Sequence, residues 1–137
     1  MCSSSCAVEE LTVWQAQLRD FASRCAASGL DDERPRVREA SELVEKAPKE
    51  IRRQYCGLRS KQQFNKMNFA GGYESAVIHL FGADIGYMIS RSCDGTCIAS
   101  VFGPAIEKEI TVEGRTPALA LLEAYAYTLI YAVCSGG

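Results

Sequence analysis

TPALALLEAYAYTLIYAVC, the run from Thr116 to Cys134, has only Thr116, Glu123 and Thr128 as plainly polar residues. Thr116 suits an N-cap, Pro117 suits the first helical position, and Gly136 and Gly137 follow the end, so the run predicts a helix from Pro117 to Cys134. At roughly 1.5 Å per residue it is about 27 Å long. At 100° per residue, Leu119, Leu122, Ala126, Leu129, Ile130 and Val133 share one stripe, and Ala120, Ala124, Tyr127 and Tyr131 lie nearly opposite. Two apolar faces require two neighbours. The first stripe is expected on a sheet. The second is expected under a helix, either the Leu11, Trp14, Leu18, Phe21 stripe of the same chain or the same face of another subunit, with the first arrangement preferred. Glu123 near the middle, the tyrosines, and the lack of Lys or Arg beyond the C-terminal end argue for a buried helix and against a membrane span.

Upstream, Ser3 to Ser5 can cap a helix of about 20 residues that ends at Ser28 and Gly29. Asp31, Asp32 and Pro35 open a second helix with Val37, Ala40, Leu43 and Val44 inward, and Pro48 restarts a short one to Gly57. Ser60 with Gln63 forms a capping pattern for one or two further turns. After Gly71 and Gly72 the pattern reads as four strands: Tyr73 to Phe81, Tyr87 to Ser92, Thr96 to Phe102 and Ile106 to Glu113. Between the second and third, a three-residue loop Cys93 to Gly95, with Gly95 left-handed, pairs Ser92 with Thr96. It puts Tyr87, Ile89, Cys97, Ala99 and Val101 on one face and Ser90, Ser92, Thr96 and Ser100 on the other. The expected fold is α+β: N-terminal helices, a four-stranded antiparallel meander sheet and a buried C-terminal helix. A chain of 137 residues is read as one domain, with residues 1–67 mainly helical and 73–137 a ββββα part.

The composition, 47% hydrophobic and 23% charged, is that of an ordinary globule. MCSSSCAVEE has neither a basic flank nor an apolar run, so a secretory signal is not expected and the address is read as cytoplasmic. The seven cysteines (Cys2, Cys6, Cys25, Cys56, Cys93, Cys97, Cys134) are odd in number and read as reduced thiols. Cys2-x3-Cys6 and Cys93-x3-Cys97 miss the two-residue spacing usual for zinc, so no metal is expected. His79, the sole histidine, is read as a core or sheet-surface residue within the first strand and not as half of a Cys-His nucleophile. Gly71 and Gly72 lead into a strand, without the Lys-Ser or Lys-Thr of a phosphate loop, which leaves nucleotide hydrolysis without support. Glu107, Glu109 and Glu113 alternate on one solvated strand face. No catalytic residue, cofactor or enzymatic activity is therefore expected.

The net charge of -2 hides a polarity. Residues 46–66 carry seven basic residues against Glu50 alone, a surplus of six, whereas from Met67 onward seven acidic residues face three basic ones. Lys49, Arg52, Arg53, Tyr55, Arg59, Lys61 and Lys66 are the candidate partner-binding residues. Two partners fit them: an acidic protein surface, or nucleic acid, whose phosphates would meet the cations and whose bases would stack on the aromatics. An overall acidic chain, with an isoelectric point near 5.5, favours the protein partner.

At Val112 to Tyr131, VEGRTPALALLEAYAYTLIY, the chain resembles small accessory proteins of bacteriophages and mobile elements, such as the NinX kind. In these a strand runs into a Gly-x-Thr-Pro helix start and an Ala-rich terminal helix, matched here by Gly114, Thr116, Pro117, Ala118, Ala120 and Ala124. HicB-like antitoxin domains share such a junction. The resemblance spans about twenty residues and brings no catalytic residues. It implies a phage accessory protein in the host cytoplasm that binds and inhibits a host protein or complex, of the anti-CRISPR type. A homodimer is compatible with it and a membrane partner is not expected.

Overall fold

The computed structural model describes the backbone of residues 2–58, 60–104 and 109–135, with side chains from Glu9 to Cys134 within those ranges. Helix α1, Cys2–Ala27, is followed by a 3-10 turn, Leu30–Asp32, and by α2, Glu33–Glu45. Two short helices come next, α3, Lys49–Tyr55, and α4, Lys61–Phe69. Ser60 caps α4 by accepting from the Gln63 N–H at 3.2 Å, half of the reciprocal pair the sequence suggests.

Tyr73–His79 is a helix, α5, not a strand, so the sheet has three strands and not four. The reason is visible in burial: Ala76, Val77 and Leu80 are fully covered while Glu74 and Ser75 are exposed, a three-and-four period that a strand cannot satisfy. The link from α4 is tight as well. Gly71 takes a left-handed φ of 87°, and the Gly72 N–H returns to the Met67 carbonyl at 2.8 Å, so α5 starts at once against α4. His79 ends this helix, with Nε2 buried and without a hydrogen-bond partner.

The sheet is an antiparallel meander of β1, Gly86–Arg91, β2, Cys97–Phe102, and β3, Ile110–Gly114, in that order. Its first hairpin has the expected three-residue loop. The Ser92 N–H donates to the Thr96 carbonyl at 2.9 Å, Gly95 has φ 91°, and Arg91 lies opposite Cys97. Asp94 holds the loop, accepting from the Thr96 N–H at 2.9 Å and from the Ser92 hydroxyl. These bonds to an exposed carboxylate lower its pKa to about 2. Cys97, Ala99 and Val101 are buried on the inner face, and the outer face carries a cross-strand Ser100–Thr111 hydroxyl pair at 2.9 Å. Of the strand expected over Ile106 to Glu113, the part before Glu109 lies outside the described residues.

Helix α6, Pro117–Ser135, begins as expected, with the Thr116 hydroxyl accepting from the Leu119 N–H at 3.1 Å. By length and composition Pro117–Cys134 could cross a membrane, but most of it is buried against the rest of the chain, as a core helix requires. Its two faces are assigned the other way round from the expectation. Leu122, Ala126 and Leu129 meet Leu18 and Phe21 of α1 and Ala40, Leu43 and Val44 of α2 around a void of only about 10 Å³. The small face lies on the sheet: a Cβ added at Gly114 of β3 would come within 3.0 Å of the Ala120 Cβ. Short side chains at Ala120 and Ala124 let the helix descend onto β2 and β3. The long residues span the wider gap to α1 and α2. Helix α1 does cover α6 within one chain, antiparallel to it, with Gln15 Nε2 donating to Cys134 Sγ at 3.1 Å near one end. Trp14 is 3% exposed and donates from Nε1 to the Leu43 carbonyl at 2.9 Å, which ties α1 to α2. One hydrophobic cluster joins the helices to β2 and β3.

Candidate interaction surface

Three chain segments meet beneath the basic run. Phe81 pairs with Cys56 in an isolated antiparallel bridge, with the Gly57 N–H on the Leu80 carbonyl at 2.9 Å and the Gly82 N–H on the Tyr55 carbonyl at 3.1 Å. The crossing demands glycine: a Cβ at Gly57 would lie 2.1 Å from the Phe81 oxygen. Tyr125 of α6 seals it from below, its hydroxyl donating to the Tyr55 carbonyl at 2.8 Å, 3.2 Å from the Leu80 carbonyl oxygen and 3.4 Å from Cys56 Sγ. Complete burial raises the Tyr125 pKa well above its ordinary value, and burial also raises that of Cys56, against the opposing effects of the Tyr125 hydrogen bond and the Arg52 charge.

This crossing sets the direction of α3. Ile51 and Tyr55 turn inward, and the cations turn out. Lys49, Arg52 and Arg53 are exposed on α3, and Lys61 and Lys66 on α4. Arg53 pairs with Glu50 at 2.7 Å along one helix face, a contact open to solvent and of little energetic weight. Lys61 reaches Glu45 at 2.5 Å, and Arg52 donates to the Glu45 carbonyl at 3.3 Å, so both cations also serve the C-terminal end of α2, where carbonyls lack helical donors. Between them opens a cleft of about 360 Å³ lined by Val44, Glu45, Arg52, Cys56, Leu58 and Lys61. Among the described residues Lys49 and Lys66 enter no ion pair.

Tyr55 does not belong to this surface. Its side chain is 1% exposed and sits in the core, and Phe64 on α4 is equally covered, so the aromatics interleaved with the cations in the sequence point away from them in space. Arg59 lies outside the described residues. Glu45 and the Cys56 floor of the cleft were not legible in the sequence, because Lys61 and Glu45 stand 16 residues apart and no local spacing links them.

The thiols are dispersed. Cys93 is exposed in the hairpin loop, Cys97 is buried beneath it, and Cys25, Cys56 and Cys134 are likewise unbridged. The side chains of Cys2 and Cys6 lie outside the described residues. Burial pushes the Cys25 thiol up to about 12, with the nearby Glu123 carboxylate adding to the effect. Among the described residues no three His, Cys, Asp or Glu side chains gather as a metal-holding group. Comparison of the chain with protein-family models, with curated proteins and with solved structures found no match.

Proposed function

We propose that this chain is a non-enzymatic interaction module that presents the exposed cations of α3 and α4 to an acidic surface of a partner protein. The observation that carries this reading is the division between the basic run's two kinds of side chain: Lys49, Arg52, Arg53, Lys61 and Lys66 face solvent while Tyr55 and Phe64 are inside. Within the run the cations have no exposed ring among them, which suits carboxylates, and Phe69, exposed at the end of α4, already has the Arg34 guanidinium over its ring at 5.4 Å. A single-stranded nucleic-acid site would want aromatic platforms beside the cations. Raised thiol pKa values at Cys25 and Cys56 leave both poor nucleophiles at neutral pH, in keeping with a binding role. On the resemblance of Val112 to Tyr131, the partner is a host protein or complex met in the host cytoplasm, and the role is that of a phage or mobile-element inhibitor of host defence.

The test compares the wild-type chain with a variant carrying Arg52→Glu, Lys49→Glu and Lys66→Glu, as bait in bacterial lysate and in titrations with random duplex and single-stranded DNA. The reading expects one protein retained by the wild type, lost by a variant of unchanged melting temperature, and weak binding to DNA. Protein capture that survives the triple reversal would sink the proposed face. Tight DNA binding with a steep salt slope would instead make the chain a nucleic-acid-binding regulator.

A further inference from the structure

Strand β1 has no fully buried residue. In the sheet it has only β2 as a neighbour, and among the described residues no other element runs along its second edge. Helix α6 packs over β2 and β3 and leaves β1 beyond its rim. Tyr87 is consequently 41% exposed on the inner face, although its ring touches Phe81 edge-on at 5.7 Å, and Met88 is 61% exposed on the outer face. Arg91 is the only charge in Gly86–Arg91, and the strand has neither a proline nor a lysine to discourage pairing. Natural sheets rarely leave an apolar edge so open.

The backbone says which groups are free. Ser92 donates to Thr96, and pairing continues through Ser90 with Ile98, Met88 with Ser100 and Gly86 with Phe102. In an antiparallel ladder alternate residues bond to one neighbour, so Gly86, Met88 and Ser90 turn their N–H and C=O groups to β2, and Tyr87, Ile89 and Arg91 turn theirs to the open edge.

We propose that a second copy of this chain closes that edge, β1 against β1 about a two-fold axis at Ile89, so that two three-stranded sheets become one. An isologous pair of this kind is self-complementary. The axis at Ile89 is the register that engages the outward groups of Tyr87, Ile89 and Arg91 on both copies. It sets each Arg91 opposite the Tyr87 ring of the second copy, Ile89 against Ile89, and Met88 against Ser90. No like charges within the strand meet, and the lone cation receives an aromatic face. The basic cations of α3 and α4 take no part, so this pairing stands independently of the partner proposed above.

The experiment is light scattering of the full chain over a dilution series, with amide hydrogen exchange at its two ends. The expected mass at high concentration is twice the 15.0 kDa chain. Tyr87→Lys, which sets a lysine against Arg91, should weaken association about tenfold, and adding Arg91→Glu to it should restore association by pairing opposite charges in the same register. Circular dichroism checks that both variants are folded. Should Tyr87→Lys fail to fold, the wild type still decides: the Ile89 and Arg91 amides must exchange more slowly at high concentration. A chain that stays monomeric throughout, a dimer indifferent to Tyr87→Lys, a double variant that does not recover, or exchange rates that ignore concentration would each overturn the pairing.

Discussion

Glu123 is the one charged residue within the apolar run of α6, half-buried and close enough to Cys25 to raise the thiol's pKa. Burial likewise raises the Glu123 pKa above its ordinary 4.5. A carboxyl with its folded-state pKa raised binds its proton more tightly in the native chain than in the unfolded one. Its contribution is therefore fully present below 4.5, where both states are protonated, and is lost as pH rises through the folded-state pKa. Glu123→Gln removes the titration. The variant should be more stable than the wild type at neutral pH, with the difference shrinking below 4.5. Urea midpoints at the two pH values check this, and a gap independent of pH would assign the effect to packing instead.

Among the elements, α6 meets a different neighbour on each of its two apolar faces. Its long stripe packs on α1 and α2 and its small-residue face on the sheet, so two substitutions probe opposite sides. Leu122→Ala takes a fully buried side chain from a nearly voidless contact with Leu18, Phe21 and Val44, and should cost about 2 to 5 kcal/mol. Gly114→Ala adds a methyl 3.0 Å from the Ala120 Cβ and 3.1 Å from its Cα. Backbone must then separate from backbone, at a cost of about 1 to 3 kcal/mol. Denaturant unfolding measures both. A loss below about 1 kcal/mol for Leu122→Ala would contradict its place in the core, and a neutral Gly114→Ala would mean that α6 stands further from β3 than described.

Across the whole molecule, α1 is the lid on the long stripe of α6 and also holds α2 through Trp14. Trp14 should therefore fluoresce as a buried indole that shifts to longer wavelength on unfolding. A chain beginning at Leu30 exposes Leu122, Ala126 and Leu129 together, a contiguous apolar face that should make it aggregate or dimerise at concentrations where the full chain does not. Sedimentation of the shortened chain decides, and a soluble, well-folded monomer would show that α1 is dispensable. Charge is divided on the same scale, with the cations of residues 46–66 on the helical side and Glu113 and Asp94 at the sheet. Electrostatic attraction to an acidic partner should thus orient the molecule α3–α4 first.

What the sequence determined by itself is local. Thr116 and Pro117 start α6, Ser60 caps α4, Gly95 accepts a left-handed φ and thereby sets the register of β1 on β2: each is a property of a few neighbouring residues that short-range sterics and one hydrogen bond decide. The α+β class follows, because a long apolar helix and an alternating meander are readable from periodicity alone. Tyr73 to Phe81 was not readable in this way, since nine mostly apolar residues fit either period, and contact with α2, α4 and α6 settled the helix. The faces of α6 were equally open. Both are apolar, and which of them meets the sheet depends on how near the backbone of β3 can come, a distance set by Gly114 and Ala120 together. Only tertiary structure could bring Glu45 to Lys61 or turn Tyr55 away from its basic neighbours, because these outcomes depend on where Phe81 and Tyr125 return in space and not on any spacing along the chain.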